Sequence, residues 1–223
     1  MSASSLRSRI FETPENLLAT AMLSLMALLP VLEMASRHLR FIPSIPGSPV
    51  YVQHLTLCIG MFGGALAARF GRLLTVSAST MLPKRWRRPA AILAGFVLTA
   101  VSTALAYASW QFLVSEREAS SMLVPGIPKW YALLVMPLGF GWIALRAVWH
   151  ADAKWYGKLA AAGGLLAPVI LNSADPSTPG LFPLGVALLF LATLAGLPVF
   201  AVFGGFALFL FWHTQTPVAS APV

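Results

Sequence analysis

The residues able to do chemistry in this chain are few and far apart. Four histidines (His38, His54, His150, His213), one cysteine (Cys58) and seven acidic residues are all the His, Cys, Asp and Glu side chains from which a metal site or an acid–base pair could be drawn. Metal sites need two or more ligands at short regular spacing, and no pair of His, Cys, Asp or Glu has it. A covalent nucleophile needs a nearby base and a group that orients the base, and none is present. Glu33 lies near the end of one apolar run and His54 near the start of the next; both can reach the edge of a bilayer, so a structural role is expected for each. His38, His150 and His213 also fall near the ends of apolar runs. A single cysteine excludes an internal disulfide and any cysteine metal cluster, and Cys58, within an apolar run, reads as a small buried thiol. No catalytic, cofactor-binding or metal-binding residues are assigned.

The elements that surround these residues explain their scarcity. Hydrophobic residues make up 58% of the 223 and charged residues only 10%, against roughly 45–50% and 25% in soluble domains, so lipid is the expected solvent. A transmembrane helix needs about 20 mostly apolar residues to cross roughly 30 Å of hydrocarbon. Four runs qualify: Leu17 to Leu32, Val50 to Ala68, Pro89 to Val114 and Trp130 to Leu145. Glu12 and Glu15 before the first run, and Arg37, His38 and Arg40 after it, mark a retained helix rather than a cleaved signal peptide. Leu159 to Leu171 is short and contains Gly163, Gly164 and Pro168; it is expected to cross as a thin tilted helix, the alternative being a re-entrant piece packed against protein. Leu181 to Trp212 is uncharged and would be about 48 Å long as one helix. It must therefore tilt, break or protrude, with Gly196 and Pro198 as the place for a break.

The net charge of +8 does not indicate nucleic acid, because the cations cluster at the ends of apolar runs, as topology signals do. With the N-terminus in the cytoplasm and six crossings, eleven Lys and Arg residues fall on the inner side (Arg7, Arg9, Arg69, Arg72, Lys84, Arg85, Arg87, Arg88, Arg146, Lys154, Lys158). Four fall outside (Arg37, Arg40, Arg117, Lys129). Phe70, Leu73, Leu74, Ser77 and Met81 recur at helical spacing beside Arg69 and Arg72, which predicts an interfacial helix leading to the basic cluster Lys84 to Arg88. Anionic headgroups would hold these cations, at about 1 kcal/mol each, although enforcing topology is the plainer use of them. Trp130, like Trp86, Trp110, Trp149 and Trp155, is placed as an interfacial anchor. Gly63 and Gly64, with Ala65 and Ala67, are read as a small-residue face for close helix packing. Val124 to Trp130, with two prolines, is a rigid turn into the fourth span.

Three stretches resemble the small permease subunit of tripartite ATP-independent periplasmic (TRAP) transporters, the DctQ-like family. The run from Met61 to Leu74 is similar to the family's second-span ending. The run Gly126-Ile127-Pro128-Lys129-Trp130 through Pro137-Leu138-Gly139-Phe140 to Leu145-Arg146 is similar to the entry and body of its fourth span. Glu15, the first span and Arg37 fit its opening helix. Two positions depart from the pattern: Gln53 and His54 stand where an acidic pair is common, and Leu73, Leu74 and Ser77 where a His-Ile pair and an Asp are. The stretch Leu194 to Gly205 resembles the first helix of the large permease subunit.

The resemblance implies an all-α inner-membrane protein that works with a large permease subunit and a periplasmic substrate-binding protein. Such transporters import organic anions, typically carboxylates, on a sodium gradient; sodium belongs to the large subunit and no cofactor to this chain. The expected organisation is a cytoplasmic N-terminus over 1–16, a four-helix membrane domain over 17–150, a linker with a short apolar segment over 151–180, and a long hydrophobic helix over 181–223. Arg37, Arg40 and Arg117 on the outer loops are the expected docking residues for the binding protein. The rival readings are a self-contained small carrier or channel and a membrane-embedded lipid-modifying enzyme.

Overall fold

The computed structural model describes residues 3–38, 48–69, 83–124, 126–151, 154–176, 178 and 180–215, and its architecture is all-helical apart from one two-stranded hairpin. Four helical stretches among the described residues are long and apolar enough to cross a membrane: Leu17–Ser36, Ser48–Ala67, Lys84–Glu118 and Trp130–His150. They belong to α1 (Ala3–His38), α2 (Ser48–Arg69), α3 (Lys84–Glu118), and the pair α4 (Trp130–Leu133) and α5 (Val135–His150). The break between α4 and α5 has a local cause. Pro137 has no N–H to give the carbonyl of Leu133 and its ring crowds that carbonyl, so the helix yields one turn upstream.

At the centre stands α3. Its 35 residues make it about 52 Å long at the helical rise, far more than the hydrocarbon needs. The basic cluster Lys84 to Arg88 forms the first turn and a half of this helix. Along the helix, Gly95, Thr99, Ser102, Ala104, Ala108 and Ser109 are buried, and such small residues let neighbouring backbones come close where the hydrophobic effect offers no drive to associate. A Cβ built at Gly95 would lie 2.9 Å from that of Ala151, so α5 ends in direct contact with α3. Two hydroxyls of the helix are satisfied within it, Thr99 donating to the Gly95 carbonyl at 2.9 Å and Thr103 to that of Thr99 at 2.8 Å, while the buried Ser102 hydroxyl has no hydrogen-bond partner among the described residues.

The short apolar segment is a broken helix. It consists of α6 (Trp155–Ala162), one 3-10 turn (Gly163–Leu166) and α7 (Ala167–Ser173). Pro168 cannot donate to Gly164, and the tighter turn absorbs the loss. The segment runs alongside α3 and in the same direction, with Tyr156 beside Arg88, Gly164 against Phe96 and Ala100, and Leu171 in one cavity with Gln111. Its 19 residues span about 30 Å, which is crossing length.

The stretch expected as one long helix over 181–223 is instead two helices up to the last described residue. They are α8 (Leu181–Leu194) and α9 (Val199–His213). The chain breaks at Gly196 and Pro198: Gly196 has φ +108°, where an L side chain is strained, and Pro198 opens α9 with no N–H. The two helices fold back antiparallel, since a Cβ at Gly185 would strike Phe209 and one at Gly205 would strike Leu189. Val97, Val101, Leu189, Ala192, Leu197 and Ala201 form the buried core that fixes this hairpin to α3.

Candidate functional site

The candidate functional surface is the two rims of the bundle, because the described spans between them carry so little chemistry. At the Glu116 end of α3 the chain turns through Ser120 (φ +52°) into a small antiparallel hairpin of β1 (Met122–Val124) and β2 (Ile127–Pro128), with Met122 opposite Pro128 and Val124 opposite Ile127. Gly126, at φ +91°, supplies the turn. The hairpin brings Lys129 back to α3, where its ammonium meets the Glu116 carboxylate at 3.1 Å and Ser121 donates to the same carboxylate. The Ser121 carbonyl accepts from the Lys129 amide at 3.0 Å, so one acidic side chain, one basic side chain and the backbone close the turn together. Arg117 lies 5.7 Å over the ring of Trp130, which stacks on Tyr131 at 3.8 Å; both contacts are within cation–π and stacking range. The sequence reading placed Arg117 and Trp130 separately, one for docking and one for anchoring. They form one unit.

At the opposite rim the cations rest on aromatic faces. Arg88 stands 4.9 Å over Tyr156, Lys154 5.7 Å over the same ring and Arg85 6.0 Å over Trp86. Lys84, Arg85 and Arg87 are exposed. Arg146, counted among loop cations in the sequence, sits one turn inside the end of α5. It donates to the Ala65 carbonyl of α2 and covers Trp142 at 5.2 Å, and a cation suits the C-terminal end of α2 on dipole grounds. Arg37 and Arg69 lie at the ends of α1 and α2, while Arg40, Arg72 and the interfacial helix expected over 70–81 fall outside the described residues.

An added Cβ at Gly63 would meet nothing within 4 Å among the described residues of this chain, and Gly64 makes an ordinary 3.6 Å contact with Ile143. Within the first five helical segments the tight approaches are at Gly95, Gly139 (against Met61) and Gly164, and in the α8–α9 hairpin at Gly185, Gly204 and Gly205. The small-residue spacing Gly95 to Thr99 and Ala104 to Ala108 was the signal available for this. Between α1, α2 and α5 an apolar groove of about 340 Å³ is lined by Met61, Phe62, Leu66, Leu138 and Trp142, with Arg146 at its edge. Among the described residues no three of His, Cys, Asp and Glu converge on a point. His54 donates to the Val50 carbonyl at 2.8 Å, His150 to that of Arg146 at 3.0 Å, and His213 stacks on Phe182 at 4.5 Å. Each is tied into local structure, as the plain reading of its position predicts.

Residues 26–152, more than half of the chain, match the family described as tripartite ATP-independent periplasmic transporters, DctQ component. The chain belongs to the DctQ family. The matched region begins midway along the apolar span of α1 (Leu17–Ser36) and takes in α2 through α5, including the Glu116 to Lys129 turn and the tight contacts of α2 with α5. No characterised protein and no solved structure matches the chain. As a DctQ component it is a multi-pass inner-membrane part of a TRAP transporter, associated with a large permease subunit and a substrate-binding protein. The broken fifth segment and the α8–α9 hairpin lie beyond the matched region.

Proposed function

We propose that this DctQ subunit is the static scaffold of a sodium-coupled, binding-protein-dependent importer of organic anions, carboxylates in particular, with sodium and substrate handled by the large subunit. The observation that carries the reading is the chemical poverty of the spans. Ionisable groups within a bilayer are expensive and mark transport pathways where they converge; here the described ones lie near helix ends, and Arg146, His54 and His150 are bonded to backbone carbonyls. A scaffold needs packing surfaces and anchors. Small residues along α3 supply the first, and the arginine–aromatic pairs at both rims supply the second.

The eleven-to-four distribution of Lys and Arg supports a cytoplasmic N-terminus. In that orientation Lys84, Arg85, Arg87 and Arg88, with Arg69 and Arg72, face the anionic lipid of the inner leaflet, and the Arg117–Trp130 unit faces the periplasm. There Arg37, Arg40 and Arg117 help to receive the binding protein. The test is uptake in proteoliposomes holding this chain and the large subunit, driven by a sodium gradient and supplied with loaded binding protein. Alanine at the three arginines should lower uptake by raising the binding-protein concentration needed for half-maximal rate; an unchanged requirement removes the docking assignment, and uptake indifferent to sodium removes the coupling.

A further inference from the structure

We infer that residues 181–213 form a re-entrant hairpin, entering and leaving the bilayer on the side of the Glu116–Lys129 turn without crossing it, so that the chain beyond His213 emerges where the chain before Leu181 entered. The lengths come first. With 14 and 15 residues, α8 and α9 are about 21 and 22 Å long, short of the roughly 30 Å hydrocarbon core.

The ends of the hairpin are held together at one level. Phe182 stacks on His213 at 4.5 Å, Trp212 donates to the Leu171 carbonyl at 2.8 Å, and Phe211, Trp212 and Gln215 share a cavity with Tyr107, Ala108 and Gln111 near the Glu116 end of α3. From that level α9 descends along α3 in register. Gly204 lies against Leu105, Gly205 against Val101 and Leu197 is buried with Val97. The tip at Val97 is thirteen residues, about 20 Å, from the Lys84 end of α3.

A turn below the membrane surface must have its backbone satisfied and covered. The tip meets this with a tight set of bonds: the amides of Ala195, Gly196 and Leu197 donate to the carbonyls of Leu191, Thr193 and Ala192 at 3.0, 3.1 and 2.8 Å. Pro198 has no amide to satisfy, and Leu197 and Pro198 are buried. Glycine lets the helices touch, since at 185 and 205 any side chain would collide with the facing helix. Charge gives no opposing signal, because no Lys or Arg follows Lys158. This topology does not depend on the scaffold reading, as it follows from lengths and contacts within one chain.

Cys58 is the single cysteine, so the Cys58→Ala chain is a cysteine-free parent for labelling with a membrane-impermeant maleimide in right-side-out and inverted vesicles. Met122→Cys and Trp155→Cys mark the two sides, both positions being well exposed. Thr178→Cys and Gln215→Cys report the two ends of the hairpin, with Thr214→Cys as a second reporter should Gln215→Cys not accumulate. The expected result is that the 178 and 215 thiols label from the Met122 side alone, and that Ala195→Cys is not labelled from the Trp155 side. Labelling of 215 from the Trp155 side would mean one full crossing, and labelling of 195 from that side would mean two. Either result overturns the proposal.

Discussion

Substituting Gly164 by alanine tests the packing logic of this bundle where a glycine abuts the backbone of a neighbouring helix. A Cβ there would stand 2.6 Å from the Phe96 carbonyl oxygen and 2.8 Å from the Ala100 amide nitrogen. Both atoms belong to the backbone of α3, which cannot rotate away as a side chain can, so the broken segment must lift from α3 by roughly half an ångström or more. Overpacking of this kind costs about 1–3 kcal/mol, while replacing glycine in a helix returns up to about 1 kcal/mol. The net expectation is a loss of about 1–2 kcal/mol, which at 2–4 °C per kcal/mol is a fall in the unfolding midpoint of roughly 2–8 °C. Gly63→Ala is the matched control: the new methyl meets nothing within 4 Å, so only the propensity gain remains and the midpoint should hold or rise. The assay is intrinsic tryptophan fluorescence of both variants in the same detergent at one heating rate. A Gly164→Ala protein as stable as Gly63→Ala would refute the close approach of the fifth segment to α3.

Three further outcomes follow. Gly139→Ala should cost less than Gly164→Ala, because its closest neighbour is the Met61 terminal methyl at 2.5 Å, which can swing aside, and the fixed Met61 Cβ stands farther off at 3.0 Å; the same melting assay ranks them. Glu116→Ala should destabilise by about 1–3 kcal/mol, since it leaves Lys129 and Ser121 without their shared carboxylate, whereas Glu118→Ala, at an exposed neighbour on the same helix, should be nearly silent; chemical denaturation in detergent separates the two. Gly205→Leu should detach the hairpin, because even a Cβ at that site falls 2.7 Å from Leu189 and 3.1 Å from Val101, and faster proteolysis within 174–180 or 195–198 is the readout.

How much of this was legible in the sequence depended on which interaction decided each feature. The four spans and the break near Gly196 and Pro198 were readable, because solvent preference and proline stereochemistry act locally. The antiparallel return of α9 was not readable: with no Lys or Arg after Lys158, nothing in the composition separates a long tilted helix from a hairpin, and only the pairing of Gly185 with Phe209 and Gly205 with Leu189 decides. The tight contacts of α3 within the chain were not singled out for a related reason, since small residues such as Gly63, Gly64 and the stripe on α3 permit close packing without specifying a neighbour. At the rims, Arg117 and Trp130 were each visible as interfacial residues, but their pairing, like that of Glu116 with Lys129, needed the β-hairpin that returns the chain to α3. The scarcity of ionisable residues in the spans is a property of the sequence itself, and the functional reading is built on it.

The central claim, that this chain steadies a partner and does not itself move solute, is tested most directly by reconstitution. Vesicles holding the purified chain alone, the large subunit alone, or both should be compared for uptake of a radiolabelled dicarboxylate in the presence of binding protein and a sodium gradient. The account predicts uptake only when both membrane subunits are present. Uptake by this chain alone would contradict it.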